Sequence, residues 1–281
     1  MKSLKTFILT KSVGSYINLM SYWNAEKAFR LAYRLFSQPR AGRLNQLKLP
    51  TILESAKHET LSIDEHQVQT YHWQGSKTVV LLLHGWESNS ARWEQLLPDL
   101  QHAGYTIIAI DAPGHGLTSG KEFNVPLYAV FTEAAIQKYK PQHIIGHSMG
   151  GITAAYYQHI YRNNPLQKMV LLGAPSDFDI ILENYIKLLG LNHKIKAAFH
   201  DYTRKRFQIE IAEFSGKEFL KSSTLKGLIV HDNEDDVVKI LEAQKLASGW
   251  KSAALVTTSG LGHGLRDEAI NKKIVDFLLG A

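Results

Sequence analysis

Short apolar runs alternate with amphipathic segments over most of the chain, a pattern typical of a parallel β-sheet covered by helices. The strongest strand signal is the run KTVVLLL at residues 77–83. Period-two alternation before it predicts an antiparallel hairpin at residues 61–73. The other predicted strands lie at 105–110, 142–145, 168–172, 228–230 and 255–258, with helices predicted at 92–103, at 126–139, from 149 onward and at 267–279. This order predicts the α/β class, with a mostly parallel central sheet flanked by helices.

Two segments do not follow this alternation. Residues 1–60 contain apolar positions with helical spacing, interleaved with lysine and arginine, and Pro39 and Gly42 end the pattern. Residues 175–223 also have a helical apolar pattern and interrupt the strand series. We therefore predict a basic helical N-terminal extension over 1–60 and a main domain over 61–281, with a helical cap at about 175–223.

The positive charge of the chain is concentrated in the N-terminal extension. The formal net charge is +6, and residues 1–60 hold ten Lys or Arg residues against three acids. A basic amphipathic helix can lie on an anionic membrane surface. The alternative, which we favour, is a helix packed against the domain with its charges in solvent. No motif that reads bases accompanies the charge, so we expect no nucleic-acid partner.

Length and composition exclude several classes of protein. The 281 residues are enough for one large α/β domain, and the absence of cysteine excludes disulfides and thiolate metal sites. No apolar stretch approaches the ~20 residues that span a bilayer. The apolar run at residues 7–9 is too short for a signal peptide, and we therefore expect a cytoplasmic protein.

Residues 146–150 (GHSMG) carry the clearest candidate chemistry. They follow an apolar run, so the pattern predicts a strand, a sharp turn at Ser148 and then a helix. Glycine two positions before and after Ser148 suits a strained turn in which a side chain would collide with the backbone. A serine hydroxyl is a weak nucleophile that needs a histidine base, an acid and N–H donors for an oxyanion, so the motif predicts these groups elsewhere.

Candidate acid and base residues follow two later strands. The sequence HDNEDDVV at residues 231–238 places four acids after a predicted strand, at the sheet edge where open α/β sheets form their sites. His263 lies between two glycines in a loop that also follows a predicted strand. The residues alone leave open which of the acids pairs with the histidine.

Two backbone N–H groups are candidates for the oxyanion hole. The strand at 77–83 ends in His84-Gly85-Trp86, and the glycine lets the chain present the N–H of Trp86 toward the site. The N–H of Met149 follows the serine at a helix N-terminus, where amides lack acceptors and the helix dipole favours negative charge.

In this order, the motifs resemble those of the α/β-hydrolase superfamily from about residue 61 to the C-terminus. HGW at 84–86 resembles the family's oxyanion loop, DAPGHG at 111–116 its turn after the next core strand, and GHSMG at 146–150 its nucleophile elbow. The resemblance implies an α/β-hydrolase fold with a helical cap insertion, and it makes His263 the catalytic histidine.

The same resemblance assigns the acid. Residues 231–238 resemble the family pattern histidine-glycine-x-x-aspartate-x-x-valine, which implies that Asp235 is the catalytic acid. Asp232 stands where that pattern has glycine, so Asp232 and Asp236 compete with Asp235 for the role.

The resemblance implies a serine hydrolase that cleaves a carboxylic ester through an acyl-enzyme on Ser148, His263 and Asp235. The apolar content of 175–223 favours an apolar small-molecule substrate, and this chemistry requires no metal or organic cofactor. Alternatives on the same three residues are an aminopeptidase, a thioesterase, a C–C bond hydrolase and an acyltransferase. A non-catalytic ligand-binding receptor and a membrane-associated lipase anchored by 1–60 are further alternatives, and the oligomeric state is left open.

Overall fold

A computed structural model describes residues 4–162 and 164–280. These residues form two compact units. One, the helical unit, consists of the chain up to Gln38 together with Asp177–Ser215. The other, the sheet unit, consists of Pro39–Ser176 together with the chain from Gly216 onward.

The sheet unit contains eight strands within the described residues. They are β1 (Lys57–Ile63), β2 (His66–Trp73), β3 (Val79–Leu83), β4 (Thr106–Ile110), β5 (His143–His147), β6 (Lys168–Leu172), β7 (Lys226–Asp232) and β8 (Ala253–Thr258). Their order in the sheet is β1-β2-β4-β3-β5-β6-β7-β8. β2 runs antiparallel to both β1 and β4, and every later pair of neighbours is parallel. The predicted α/β fold with a mostly parallel sheet is therefore confirmed.

Helices account for most of the remaining chain. The helical unit contains α1 (Leu4–Trp23), α2 (Ala25–Ser37), α7 (Phe178–Leu189) and α8 (His193–Phe207). The sheet unit contains α3 (Thr51–Glu54), α4 (Leu97–His102), α5 (Val125–Tyr139), α6 (Met149–Ile160), α9 (Gly216–Leu220), α10 (Ile240–Gly249) and α11 (Glu268–Leu279). Within residues 4–162 and 164–280, no helix combines the length and the apolar character needed to cross a bilayer.

The central strands are buried on both faces. β3 to β7 have almost no exposed position, and core residues such as Leu82, Ile145 and Val170 are fully buried. Such strands need apolar side chains on both faces, which explains their nearly continuous Val, Ile and Leu sequence. Because parallel strands end at the same edge, the loops after β3, β5, β7 and β8 are held together at one edge of a rigid sheet.

The helical unit has a core of its own. Ile17, Ala28, Leu182 and Phe199 are buried in one apolar cluster with contributions from all four helices. Rings from α2 and α7 pack around Phe199 of α8 at centroid distances of 5.2 to 6.2 Å. The N-terminal helices therefore pack with the helices of the 175–223 segment, which the sequence analysis treats as separate parts of the chain.

Several element boundaries differ from the predictions. The helix predicted at 92–103 is a 3₁₀ helix (Ser90–Gln95) followed by the short α4. Pro98 explains the break, because it has no N–H with which to continue a helix from the preceding turn. The hairpin begins at Lys57 rather than at residue 61. α9 lies within the 175–223 segment predicted to be helical, whereas α10 was not predicted.

Candidate active site

Ser148 occupies the turn between β5 and α6 in a backbone conformation that few residues adopt. Its φ is 53° and its ψ is −120°. Such angles cost free energy in a residue with a Cβ, and this strain is characteristic of functional turns. The Ser148 N–H donates to the carbonyl oxygen of Leu172 on β6 (2.8 Å), which ties the turn to the sheet. The structure thus contains the strand, sharp turn and helix that the GHSMG motif predicts.

The flanking glycines make this turn possible. A Cβ on Gly146 would lie 2.5 Å from the carbonyl oxygen of Gly150. A Cβ on Gly150 would lie 2.2 Å from the carbonyl oxygen of Leu83. Both distances are shorter than real contacts with a Cβ, so the backbone could not pass where it does with larger residues. The steric reason predicted for the motif is confirmed.

The structure brings Ser148, His263 and Asp235 into one hydrogen-bonded line. The Nε2 atom of His263 lies 3.0 Å from the Oγ of Ser148, and its Nδ1 lies 2.7 Å from Oδ2 of Asp235. Since a carboxylate only accepts, Nδ1 of the neutral ring carries the proton and Nε2 presents its lone pair to the hydroxyl. Ser148 is 8% exposed and the His263 side chain 20% exposed, so the hydroxyl and ring lie near the surface.

The loop after β7 fixes the carboxylate of Asp235. Its Oδ1 accepts from the backbone N–H groups of Val237 and Val238, each at 2.8 Å, while Oδ2 faces the imidazole. Burial of this residue opposes ionisation. The hydrogen bonds from His263 and the two N–H groups outweigh it, so the pKa of Asp235 lies below its ordinary value. The carboxylate is therefore ionised and oriented.

The two competing acids lie elsewhere. Asp232 accepts from the Thr258 hydroxyl (2.6 Å) and the Leu261 N–H (3.0 Å) through one oxygen, and from Glu234 N–H (2.9 Å) through the other. These contacts hold the loops after β7 and β8 together. Asp236 is exposed to solvent. Of the three, Asp235 is the acid that contacts the His263 ring.

His147, the residue before the serine, contacts the backbone of His263. Its Nε2–H donates to the His263 carbonyl oxygen (2.8 Å), and the two rings pack with their centroids 4.9 Å apart. Burial holds the pKa of His147 well below its ordinary value, so the ring is neutral. No local sequence pattern indicates this contact, because the pairing of residues 147 and 263 depends on the tertiary fold.

The loop after β3 passes directly beside the serine. A Cβ on Gly85 would lie only 2.8 Å from the Cβ of Ser148. His84 clamps this loop, because its Nδ1–H donates to the Gly85 carbonyl oxygen (2.8 Å) and its Nε2 accepts from the Ala112 N–H (2.9 Å). Burial lowers the pKa of His84 to about 4, so the ring stays neutral as both contacts require. Trp86 follows on this loop, with its ring against His115 and Phe123.

Met149, the second predicted oxyanion donor, is the first residue of α6. N–H groups in the first turn of a helix have no acceptor within the helix. Both candidate donors therefore lie in backbone next to Ser148, one following Gly85 and the other following the serine itself.

Asp111 organises the segment that links these loops. Its fully buried carboxylate accepts from the N–H and hydroxyl of Ser90 through one oxygen and from Tyr71 and Leu117 through the other. A Cβ on Gly116 would overlap this carboxylate, at 1.9 Å. Asp111 is therefore a structural acid with no contact to the His263 ring.

A metal site is not evident in the described part of the chain. Over residues 4–162 and 164–280, no three His, Cys, Asp or Glu side chains lie close enough together to hold a metal ion.

Comparison with known proteins identifies the family. A family model described as the α/β-hydrolase fold matches residues 78–193. The serine hydrolase-like protein of Homo sapiens is 32% identical over 148 residues, which span 50% of this chain and 70% of that protein. The chain belongs to the α/β-hydrolase family.

Other relatives of this α/β hydrolase include an esterase. The bifunctional esterase/perhydrolase DCH of Acinetobacter calcoaceticus is 25% identical over 251 residues, covering 71% of this chain and 91% of that protein. A serine hydrolase-like protein of Danio rerio is 34% identical over 127 residues, which are 42% of this chain but only 38% of that relative's length. The solved structure of Est1E from Butyrivibrio proteoclasticus with ferulic acid has a TM-score of 0.66 at 19% identity, covering 79% and 98% of the two chains, and shares the fold.

Proposed function

We propose that this α/β hydrolase is a serine hydrolase that cleaves a carboxylic ester of an apolar small molecule through an acyl-enzyme. One observation carries the proposal: the Oγ of Ser148, the ring of His263 and the carboxylate of Asp235 form a continuous hydrogen-bonded line. This is the geometry in which a histidine activates a hydroxyl and an acid orients the histidine.

In the first half of the reaction, Ser148 attacks the ester carbonyl carbon. The proton of its hydroxyl passes to Nε2 of His263 as the O–C bond forms. Asp235, ionised and held by two N–H groups, keeps the ring in the required tautomer and stabilises the imidazolium that results. The N–H groups of Trp86 and Met149 stabilise the oxyanion of the tetrahedral intermediate.

The intermediate then collapses and the alcohol leaves with the proton from His263, leaving an acyl group on Ser148. His263 next takes a proton from water, which attacks the acyl carbon. The second tetrahedral intermediate expels the serine oxygen, which regains its proton, and the acid is released.

The choice of an ester over other acyl compounds rests on the name of one relative. A relative that covers most of both chains is named as an esterase. The expectation that the acyl or alcohol group is apolar comes from the aliphatic and aromatic residues of 175–223, of which Leu182 and Phe199 are buried in the core of the helical unit. An aminopeptidase, a thioesterase, a C–C bond hydrolase or an acyltransferase would use the same three residues on a different substrate.

The test is hydrolysis of p-nitrophenyl esters in a series from acetate to dodecanoate, run beside thioesters and aminoacyl amides. We expect turnover of the esters, with kcat/KM higher for a longer acyl chain than for acetate. Ser148→Ala should lower kcat by about 10⁴-fold or more, because the covalent step is lost. Faster turnover of the thioesters or amides would replace the ester proposal, and no turnover by folded protein would favour a ligand-binding receptor.

A further inference from the structure

The first helix of the helical unit is apolar on two opposite faces. α1 spans 20 residues, and only two of them, Lys5 and Lys11, are charged. A helix that is apolar on all sides is stable only when each side has an apolar neighbour. One face of α1 has such a neighbour within the helical unit, where Ile17 is completely buried in the core.

Close contacts fix the rotation of α1. A Cβ on Gly14 would lie 1.8 Å from the carbonyl oxygen of Leu189, so the backbones of α1 and α7 are in direct contact there. The side chain of Asn18 donates to the Gly190 carbonyl oxygen and accepts from the Asn192 N–H, each at 2.8 Å. These directional bonds hold the turn between α7 and α8, so α1 cannot roll to bury its opposite face.

The opposite face, which we call the outer face, remains in solvent. Large apolar and aromatic side chains recur along it at helical spacing, and each is more than half exposed. Trp23 is 77% exposed and Leu9 65% exposed. The members are Ile8, Leu9, Tyr16, Leu19, Tyr22 and Trp23. The exposed Ser12 and Ser15 lie on the same face, between Leu9 and Tyr16. Single exposed apolar residues are ordinary, but six on one face of a helix mark an interaction surface.

Cations border the outer face. The ammonium of Lys194 on α8 lies 4.0 Å from the centre of the Tyr22 ring. Lys11 reaches the end of α7, where its Nζ donates to the carbonyl oxygen of Lys187, itself an exposed cation. α1 contains no carboxylate. Apolar residues, Tyr and Trp bordered by lysines are the composition of helices that lie in the interface of an anionic bilayer.

We propose that the outer face of α1 docks onto the surface of a bilayer that contains anionic phospholipid. The helix lies parallel to the surface, with Leu and Ile among the acyl chains, Tyr and Trp at the level of the headgroups, and the lysines against the phosphates. This inference does not depend on the proposed ester hydrolysis.

The test is flotation of the full-length protein with vesicles of phosphatidylcholine alone or mixed with phosphatidylglycerol. We expect binding to the mixed vesicles, weaker binding to phosphatidylcholine, and loss of the difference at high salt, because salt screens the lysine–phosphate attraction. Trp23 fluorescence should shift to the blue and be quenched by brominated acyl chains. Trp23→Phe should lose most of this quenching and still bind.

Variants on and off the outer face make the test specific. Leu19→Asp combined with Trp23→Asp should weaken vesicle binding by about tenfold or more, since two buried apolar groups become charged. Leu241→Asp is the matched control, because Leu241 on α10 is 62% exposed and lies outside the helical unit. It should bind like the parent protein. Circular dichroism and thermal melting verify that each variant is folded.

Three results would overturn the proposal. The parent protein could fail to float with mixed vesicles, or the folded double variant could bind them as well as the parent does. Sedimentation could instead detect a dimer that the double variant abolishes while vesicles recruit neither protein, in which case a second copy of the chain covers the outer face.

Discussion

The carboxylate of Asp235 uses both of its oxygens, one for the two N–H groups of its own loop and one for His263. Asp232, three residues earlier, is equally buried, but one of its oxygens accepts from Thr258 and Leu261, at the end of β8 and in the loop after it, and the other from the Glu234 N–H. Two acids of similar burial therefore have different tasks, because their oxygens contact different partners.

Asp235→Asn and Asp232→Asn separate these tasks. Asp235→Asn should lower kcat by about 10³–10⁴-fold with little change in KM, because the His263 tautomer is no longer fixed. Asp232→Asn should keep kcat within about tenfold and lower the free energy of unfolding by about 1–3 kcal/mol, because it weakens buried hydrogen bonds. Steady-state kinetics measures kcat and KM of each variant, and chemical denaturation measures its free energy of unfolding. The reverse pattern would make Asp232 the acid.

His147 is predicted to act as a positioning residue for His263. His147→Phe keeps the ring packing but cannot donate to the His263 carbonyl oxygen, so kcat should fall about tenfold while KM is unchanged. His147→Gln has an N–H at a similar distance from the backbone and should recover most of the loss. The pH dependence of kcat in the His147→Gln variant should match that of the parent protein, because the buried His147 ring is neutral. Equal activity in the Phe and Gln variants would argue against positioning.

At the residue level, the sequence identifies those functional side chains that have a recognisable local pattern around them. Ser148 has glycines two positions away on each side, His263 has glycines directly beside it, and both follow strands, so both are identified from the chain alone. The acid was not, because four acids lie within residues 232–236 and only the family pattern favoured Asp235. The contact of His147 with the His263 backbone joins positions 116 residues apart and has no local signal.

The elbow between β5 and α6 can follow its backbone path only because Gly146 and Gly150 have no Cβ. Gly150→Ala should lower the free energy of unfolding by roughly 2–4 kcal/mol and reduce activity sharply, because the new Cβ would collide with the Leu83 carbonyl oxygen. Gly264→Ala is the control beside the same site, since its Cβ would approach nothing closer than 3.9 Å. Thermal melting and ester turnover compare the two. Equal melting temperatures would contradict this account of the elbow.

Buried strands were the elements that sequence predicted best. The predicted strand at 168–172 coincides with β6, since a buried strand is apolar over most of its length, here Met169 to Leu172, and Gly173 follows its last residue. The region at 92–103 was less predictable, because it shares a helical apolar pattern but changes from a 3₁₀ helix to α4 next to Pro98. α10 was not predicted: no helix was assigned to the segment between the strands predicted at 228–230 and 255–258.

For the molecule as a whole, the pattern of elements gave the fold class but not the arrangement. β4 lies between β2 and β3, an order set by pairing across the sheet rather than by position along the chain. In the helical unit, α1 and α2 pack with α7 and α8, more than 140 residues later in the chain. No periodicity within either segment identifies the other as its partner. The boundaries at residues 60, 175 and 223 stay predictions.

Buried neutral histidines should make stability depend on pH. Burial lowers the pKa of His84, His115 and His143 to about 4, whereas unfolded histidine titrates near 6.5. Between these values the unfolded chain binds more protons, so stability is full above 6.5 and falls as the pH drops toward 4. The free energy of unfolding should decrease by roughly 2–6 kcal/mol over this range. Urea denaturation at several pH values measures it, and His84→Asn should lower the slope by about one proton. A flat profile would contradict buried neutral rings.

The central claim is that Ser148 is the nucleophile of a serine hydrolase. The most direct test is reaction of the folded protein with a fluorophosphonate, followed by mass spectrometry of its peptides. We expect one covalent adduct, on Ser148, that is absent in Ser148→Ala, forms far more slowly in His263→Ala and forms normally in Asp232→Asn. An adduct on another residue, or no adduct on the folded parent protein, would contradict it.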